Sequence, residues 1–130
     1  MANRVKALAC GLLEDNSRAL FLVVKDSQGA ERLILPCVLV EEGKDPISLL
    51  VEAFKKQTGI DGEIGKTVFE EKWNAGSRKK RNTVPCLCYA FKAKNARCVP
   101  SREFSGFKWL SLTDAKKARL DRKLEWLTRV

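Results

Sequence analysis

The sequence predicts an α+β fold, on three observations. Short apolar runs of strand length alternate with turn-forming residues. One well-capped amphipathic helix stands among them, and a second helix with leucines on one face closes the chain. No repeat, linker or low-complexity segment interrupts the pattern, so residues 1–130 are read as one domain.

Val5 to Leu13 (VKALACGLL) reads as a first strand, apolar on both faces, and Glu14-Asp15-Asn16-Ser17 as a turn. Ala19 to Val24 is a second, buried strand. Asp26-Ser27-Gln28-Gly29 turns the chain again, and Arg32 to Leu35 delivers it to Pro36. The stretch Leu35 to Ile60 then reads as strand end, loop, helix and stop. Asp45 is an N-cap, and Pro46 fits the first helical position, where a missing N–H costs nothing. Ile47, Leu50, Val51 and Phe54 recur at helical period. Lys55, Lys56 and Gln57 close the polar side, and Gly59 stands where a left-handed residue is wanted.

Beyond the helix, Asp61-Gly62 turns into a long strand from Glu63 to Trp73. Ala75 to Asn82 (AGSRKKRN) is a basic loop. Thr83 to Ala93 alternates as a central or near-edge strand, and its Pro85 argues that its start lies at an edge or bulge. Asn95 to Arg102 is a loop. Glu103 to Leu112 is a late strand, and Thr113 or Asp114 caps a closing helix from Asp114 to Arg129, with Leu120, Leu124 and Leu127 on one face.

A chain of 130 residues that is 45% hydrophobic can bury a proper core. The net charge is +9, from 25 Lys and Arg against 16 Asp and Glu, which favours anionic partners or simply keeps the protein dissolved. No apolar run approaches the roughly 18 residues of a membrane span. The N-terminus MANRVKAL has no leader pattern, so no membrane partner and a cytoplasmic location are expected. The five cysteines, odd in number and unevenly spaced, read as reduced, buried thiols. With no histidine, the usual general base and every Ser–His or Cys–His nucleophile are excluded.

The stretch Leu35 to Ile60 resembles the Nudix box, the strand–loop–helix motif of hydrolases that cleave nucleoside diphosphates linked to another group. The family pattern is G-x5-E-x7-R-E-U-x-E-E-x-G-U after Leu-Pro. Anchored on Gly59-Ile60, every spacing fits: Leu35-Pro36, Glu41 and Gly43 of the loop, Phe54 at the apolar position and Thr58-Gly59-Ile60 at the end. Trp109 matches the Trp that commonly ends the late strand. The resemblance covers nearly the whole chain and implies an α/β/α sandwich around a mixed central sheet.

The scaffold residues of the motif are present and the chemical ones are replaced. Val38 and Lys44 stand at the loop Gly and Glu, Glu52-Ala53 at Arg-Glu, and Lys56-Gln57 at the Glu-Glu pair. Mg²⁺ wants several hard oxygen ligands; Ala53 supplies none, Lys44 and Lys56 are repelling cations and Gln57 has only a neutral carbonyl, so a two-metal site cannot form from the family's glutamate positions. The expectation is a domain that binds a nucleotide, a diphosphate or another phosphorylated molecule without cleaving it, using Arg32, Lys44, Lys56 and Gln57 and no cofactor. RNA or an acidic protein is the alternative partner. Arg78, Lys79, Lys80 and Arg81 form an anion patch for the phosphate backbone, or a solvated hairpin tip. The competing expectation is a working hydrolase with Mg²⁺ and relocated acids among Glu41, Glu52, Glu70 and Glu71. A step of one residue turns a helical side chain by about 100°, so Glu52 does not point where the family's glutamate does.

Overall fold

The computed structural model describes residues 4–130; residues 1–3, part of the stretch read for a leader, lie outside them. Five strands precede the first helix: β1 (Val5–Leu12), β2 (Glu14–Asp15), β3 (Arg18–Lys25), β4 (Glu31–Ile34) and β5 (Cys37–Glu41). Helix α1 (Pro46–Thr58) is followed by β6 (Glu63–Asn74), β7 (Thr83–Lys92), β8 (Gly106–Leu110), α2 (Leu112–Lys116) and a closing 3-10 helix (Arg122–Arg129). Two four-stranded sheets result. The mixed sheet has the order β5-β1-β7-β6, with β1 and β7 parallel. In the antiparallel sheet β3 pairs with β2, β4 and β8.

The alternation along β1 explains the layering. Leu8 and Cys10 join a large cluster with Leu20 and Leu22 of β3 and Leu124, Trp126 and Leu127 of the 3-10 helix. Ala9, on the opposite face, joins Val40, Leu50 and Tyr89 in a smaller cluster under α1. Successive strand residues face opposite sides, so the mixed sheet is covered on both. Phe54 of α1 stacks on Phe91 of β7, with ring centroids 3.7 Å apart, and ties the helix to the sheet.

The structure corrects several expectations. Cys37 to Glu41, read as loop, is a strand on the edge of the mixed sheet, paired antiparallel with β1. Val38 and Val40 suit that role, and the loop is confined to Glu42–Asp45. The strand Thr83–Lys92, read as central or near-edge, is central, between β1 and β6, and its start is one-sided as Pro85 suggests. Pro85 faces Lys72, one residue before the β1 ladder begins at Leu8↔Cys86, so no partner needs its missing N–H. The single closing helix is broken in two. Its cap is Ser111, whose side chain accepts from the Asp114 N–H, in place of Thr113 or Asp114. Between the halves, Leu33 N–H donates to the Arg119 carbonyl at 2.8 Å and Asp121 N–H to the Leu33 carbonyl at 2.8 Å. A continuous helix would keep those groups for itself; pairing with β4 stops it, and Asp121 recaps the 3-10 turn through Lys123 N–H.

The N-cap and stop of α1 form as expected. Asp45 accepts from Ile47 N–H and Ser48 N–H at 3.3 Å each and from the Ser48 hydroxyl at 2.7 Å. Gly59 takes φ +74° and donates its N–H to the Lys55 carbonyl at 2.8 Å. Thr58, fully buried, donates its hydroxyl to the Phe54 carbonyl and accepts from Ile60 N–H. The Thr-Gly-Ile ending is a helix stop built from three residues. Among the described residues, no helix is long and apolar enough to cross a membrane.

Candidate functional site

Gln57 is turned inward. Its Nε2 donates to the Cys37 carbonyl at 2.8 Å, and its Oε1 accepts the Cys37 N–H at 3.2 Å. Cys37 faces Cys10 in the ladder, and the adjacent Gly11 N–H reaches the Pro36 carbonyl. Cys37 therefore occupies a non-hydrogen-bonded position, and its peptide groups point away from β1 toward the free edge of the sheet. The Gln57 amide satisfies both, as the next strand would.

This bears on the metal that the resemblance implies. The helix positions of the family's glutamates carry Ala53, without a donor, exposed Lys56, a cation, and Gln57, whose amide is taken by Cys37. Among the described residues no three His, Cys, Asp or Glu side chains stand together as a ligand group. The donor set does not fit a hard divalent cation.

The other predicted residues are scattered. Arg32 is held by Asp26, Nε to Oδ2 at 3.0 Å, and donates to the Leu120 carbonyl at 3.3 Å, so its guanidinium braces β4 against the α2–3-10 junction. Asp26 itself lies below its usual carboxyl range, chiefly because it accepts the Ala30 N–H, then through Arg32 and the Gln28 N–H. Lys44 is exposed in the box loop, Glu41 at the end of β5 and Glu52 on the outer side of α1.

A cleft of about 1480 Å³ opens at the other edge of the mixed sheet; of the remaining candidates it takes in Glu70, Glu71, Arg78 and Arg81, while Lys79 and Lys80 do not line it. Glu70 and Glu71 of β6, Arg78 and Arg81 of the basic loop, and Arg122 and Arg129 of the 3-10 helix all line it. Sequence reasoning left out the last two as individual site residues, and they decide the geometry. Arg122 donates to the Asn74 carbonyl at 2.7 Å and to the Gly76 carbonyl, while its guanidinium lies 5.5 Å from the centroid of Trp73. Arg129 donates to the Lys72 carbonyl at 2.6 Å and stands 3.9 Å from Glu71. Lys72 and Asn74 are β6 residues two apart, so their carbonyls leave the same open edge, and two arginines cap them. Trp73 Nε1 in turn donates to the Arg122 carbonyl at 3.1 Å.

The basic loop is equally fixed. Asn74 Oδ1 accepts from Gly76 N–H at 3.0 Å and Asn82 N–H at 2.9 Å. Ser77 N–H donates to the Lys80 carbonyl, and Lys80 N–H returns to the Ser77 hydroxyl. A methyl group on Gly76 would run into the Lys80 carbonyl oxygen, so glycine is required there.

Five free thiols, all buried, complete the inventory. Cys10 is raised well above its usual value by hydrogen bonding with Cys37 and Cys86 and by burial; Cys37 is lowered because Cys10 donates to it. Burial pushes Cys98 up to about 11 and Cys88 further still.

No protein-family model matches the sequence. No curated protein is similar to it in sequence. Solved structures are another matter, and they define the class by fold. The MutT protein from Methanosarcina mazei Go1 superposes with TM-score 0.72 over 99% of this chain and 96% of that one, at 16% identity. A hydrolase of the NUDIX family from Clostridium perfringens gives 0.69 over 97% and 93%, at 11% identity. A C. elegans Ap4A hydrolase in a binary complex gives 0.66 over 96% and 93%, at 18% identity. The chain has the Nudix fold.

Proposed function

We propose that this chain is a Nudix-fold binding module for a nucleotide or another phosphorylated small molecule, with a degenerate box that does not hydrolyse it. The observation that carries the reading is the pairing of Gln57 with Cys37, which removes one of the box positions from any ligand set and makes it part of the sheet. Ala53 and Lys56 beside it offer no oxygen. Lys44 and Lys56 bring to that face the positive charge that a metal would otherwise supply to a diphosphate. The Ap4A hydrolase among the fold neighbours is named for a phosphorylated nucleotide ligand, which agrees in class.

The competing reading is a pyrophosphohydrolase with relocated acids, favoured by one observation: Glu70 and Glu71 line the cleft that also holds Arg78 and Arg81. The two readings separate by turnover. The protein is incubated with Mg²⁺ or Mn²⁺ and nucleoside triphosphates, dinucleoside polyphosphates and nucleotide sugars, beside an E41Q/E52Q/E70Q/E71Q variant, and products are separated by chromatography. The expected result is no product above the variant, with nucleotide binding measurable by calorimetry. Product that disappears in the variant overturns the proposal.

A further inference from the structure

Cys37 of β5, Cys10 of β1 and Cys86 and Cys88 of β7 stand on one face of three adjacent strands, in the core shared with the antiparallel sheet. Cys10 is the hub. It pairs in register with Cys37 on one side and Cys88 on the other, and its thiol hydrogen-bonds with those of Cys37 and Cys86. Buried thiols commonly serve as small apolar side chains, and scattered ones need no further role. The spacing across these strands makes one pair an exception.

Cys10 and Cys37 face each other at a non-hydrogen-bonded position of an antiparallel ladder, where Cα atoms lie about 4.5 Å apart and side chains come closest. A disulfide spans Cα separations of roughly 4.4–6.8 Å, so this pair stands within reach of a bridge. The neighbouring thiols do not. Cys86 is opposite Leu8, two residues along β1 from Cys10, a diagonal of about 8 Å. Cys86 and Cys88 are successive residues on one face of β7, about 6.6 Å apart with their side chains parallel. The Cys88 thiol, although in register with Cys10, is not among its hydrogen-bond partners.

The two thiols are also unequal. Cys10 is wholly buried, whereas Cys37, the first residue of β5, keeps 7% of its surface exposed. The bond from Cys10 and the charge of Lys123 favour the Cys37 thiolate, against its burial and the carboxylates of Asp121 and Glu103. We propose that Cys37 and Cys10 form a redox-active dithiol, oxidised by a hydroperoxide to a cross-strand disulfide that staples the edge strand β5 to β1. With hydrogen peroxide, the Cys37 thiolate attacks one oxygen and the O–O bond breaks. The other oxygen takes up the proton that Cys37 released and leaves as water, and Cys37 becomes a sulfenic acid. The Cys10 sulfur then attacks the Cys37 sulfur, and the Cys10 proton leaves with the sulfenic hydroxyl as a second water. Two thiols and one peroxide become one disulfide and two waters. A water-sized oxidant suits a thiol with so little open surface. Gln57 holds the peptide groups of Cys37, so the bridge joins β1, β5 and the end of α1 at one point.

The test is treatment of the reduced full chain with a small excess of hydrogen peroxide, then alkylation in denaturant and non-reducing digestion with mass spectrometry. A linked Cys10–Cys37 peptide is expected, two hydrogens lighter than its reduced parts, with Cys86, Cys88 and Cys98 alkylated. Dithiothreitol undoes the link. The oxidised protein melts roughly 5 °C or more above the reduced one, as a cross-link closing a long loop should give. In Cys10→Ala the sulfenic acid at Cys37 persists and is captured by dimedone, several-fold more than in the unmodified protein. In Cys37→Ala no link forms and Cys10 stays reduced, while Cys98→Ala leaves the link unchanged. Circular dichroism checks the fold of each variant, and the linked peptide of the unmodified protein decides the assignment even where a variant does not fold. A link through Cys86 or Cys88, the mixed pairing of a chain oxidised in urea, or sulfenic capture first at Cys98 overturns the pair. All five thiols left alkylated, under a treatment that oxidises the urea-unfolded chain, overturns the redox role itself.

Discussion

Gln57 closes both peptide groups of Cys37 with one side-chain amide, at 2.8 and 3.2 Å, across 20 residues of chain. An edge strand leaves such groups to water or to another chain, and here a helix residue covers them. The amide carries both the donor and the acceptor the pair requires, which an ionised carboxylate does not.

Gln57→Glu is therefore expected to destabilise the fold by about 1–3 kcal/mol, because a carboxylate oxygen would face the Cys37 carbonyl with no proton between them. Gln57→Ala should lie near the low end of that range, and Lys56→Glu, on the exposed neighbouring position, within about 0.5 kcal/mol of the unmodified protein. Urea unfolding monitored by tryptophan fluorescence measures all three. Equal stability of Gln57→Glu and Lys56→Glu would show that the amide pairing contributes nothing.

Arg122 joins three groups at once: the carbonyls of Asn74 and Gly76 and the face of Trp73. Arg122→Ala should lower stability by about 1–2 kcal/mol, since the freed carbonyls are reached by water and the cation–π contact is partly exposed. The Asn74–Asn82 loop should also gain amide hydrogen exchange. Unchanged exchange in that loop would mean that Arg122 does not hold it.

Asp26 predicts a pH dependence. Its folded pKa lies below the ordinary 3.8, held there by the Ala30 N–H, Arg32 and the Gln28 N–H. A depressed carboxyl stabilises the fold above the unfolded pKa and ceases to do so as pH falls through the folded one. Asp26→Asn should thus have a lower Tm than the unmodified protein at neutral pH, and the gap should narrow only below about pH 4. A gap of the same size at pH 2 and pH 7 would remove the carboxylate from the account.

The thiols predict a reactivity pattern. All five are buried, and Cys10, Cys88 and Cys98 are pushed up, so the folded protein should react slowly with a thiol reagent at neutral pH. Cys37, lowered by the hydrogen bond from Cys10, should be modified first, as read by mass spectrometry of digested protein. Denaturant should release all five. Prompt reaction of Cys98 ahead of Cys37 would contradict this order.

Much of the local structure was legible from residues because its causes are local. Asp45, Pro46 and the Thr58-Gly59-Ile60 stop act within one turn of helix, and each does so in the structure; of the apolar positions Leu50 and Phe54 are buried, Val51 is half-buried and Ile47 is exposed. The break at Arg119–Asp121 was not legible. Its cause is a pair of hydrogen bonds to Leu33, more than 80 residues earlier, and nothing near Leu120 signals them. The strand at Cys37 to Glu41 was hidden in the same way. Its pairing with β1 makes it a strand, while its Glu-Glu-Gly continuation reads as loop.

The candidate site divides along the same line. From the sequence by itself came the fold, through the spacing of scaffold residues, and the absence of carboxylates at the four positions where the family carries its glutamates, because residue type fixes which atoms can ligate. Tertiary structure alone decided where the remaining charged groups meet. It turned Gln57 onto Cys37 and bound Arg32 to Asp26 and Leu120. It also brought Arg122 and Arg129, some 50 residues away in sequence, to the open edge of β6 beside Arg78 and Arg81. The reason is physical: helix periods and caps are set by neighbours in the chain, whereas an unpaired strand edge takes its partners from whatever the packed core carries to it.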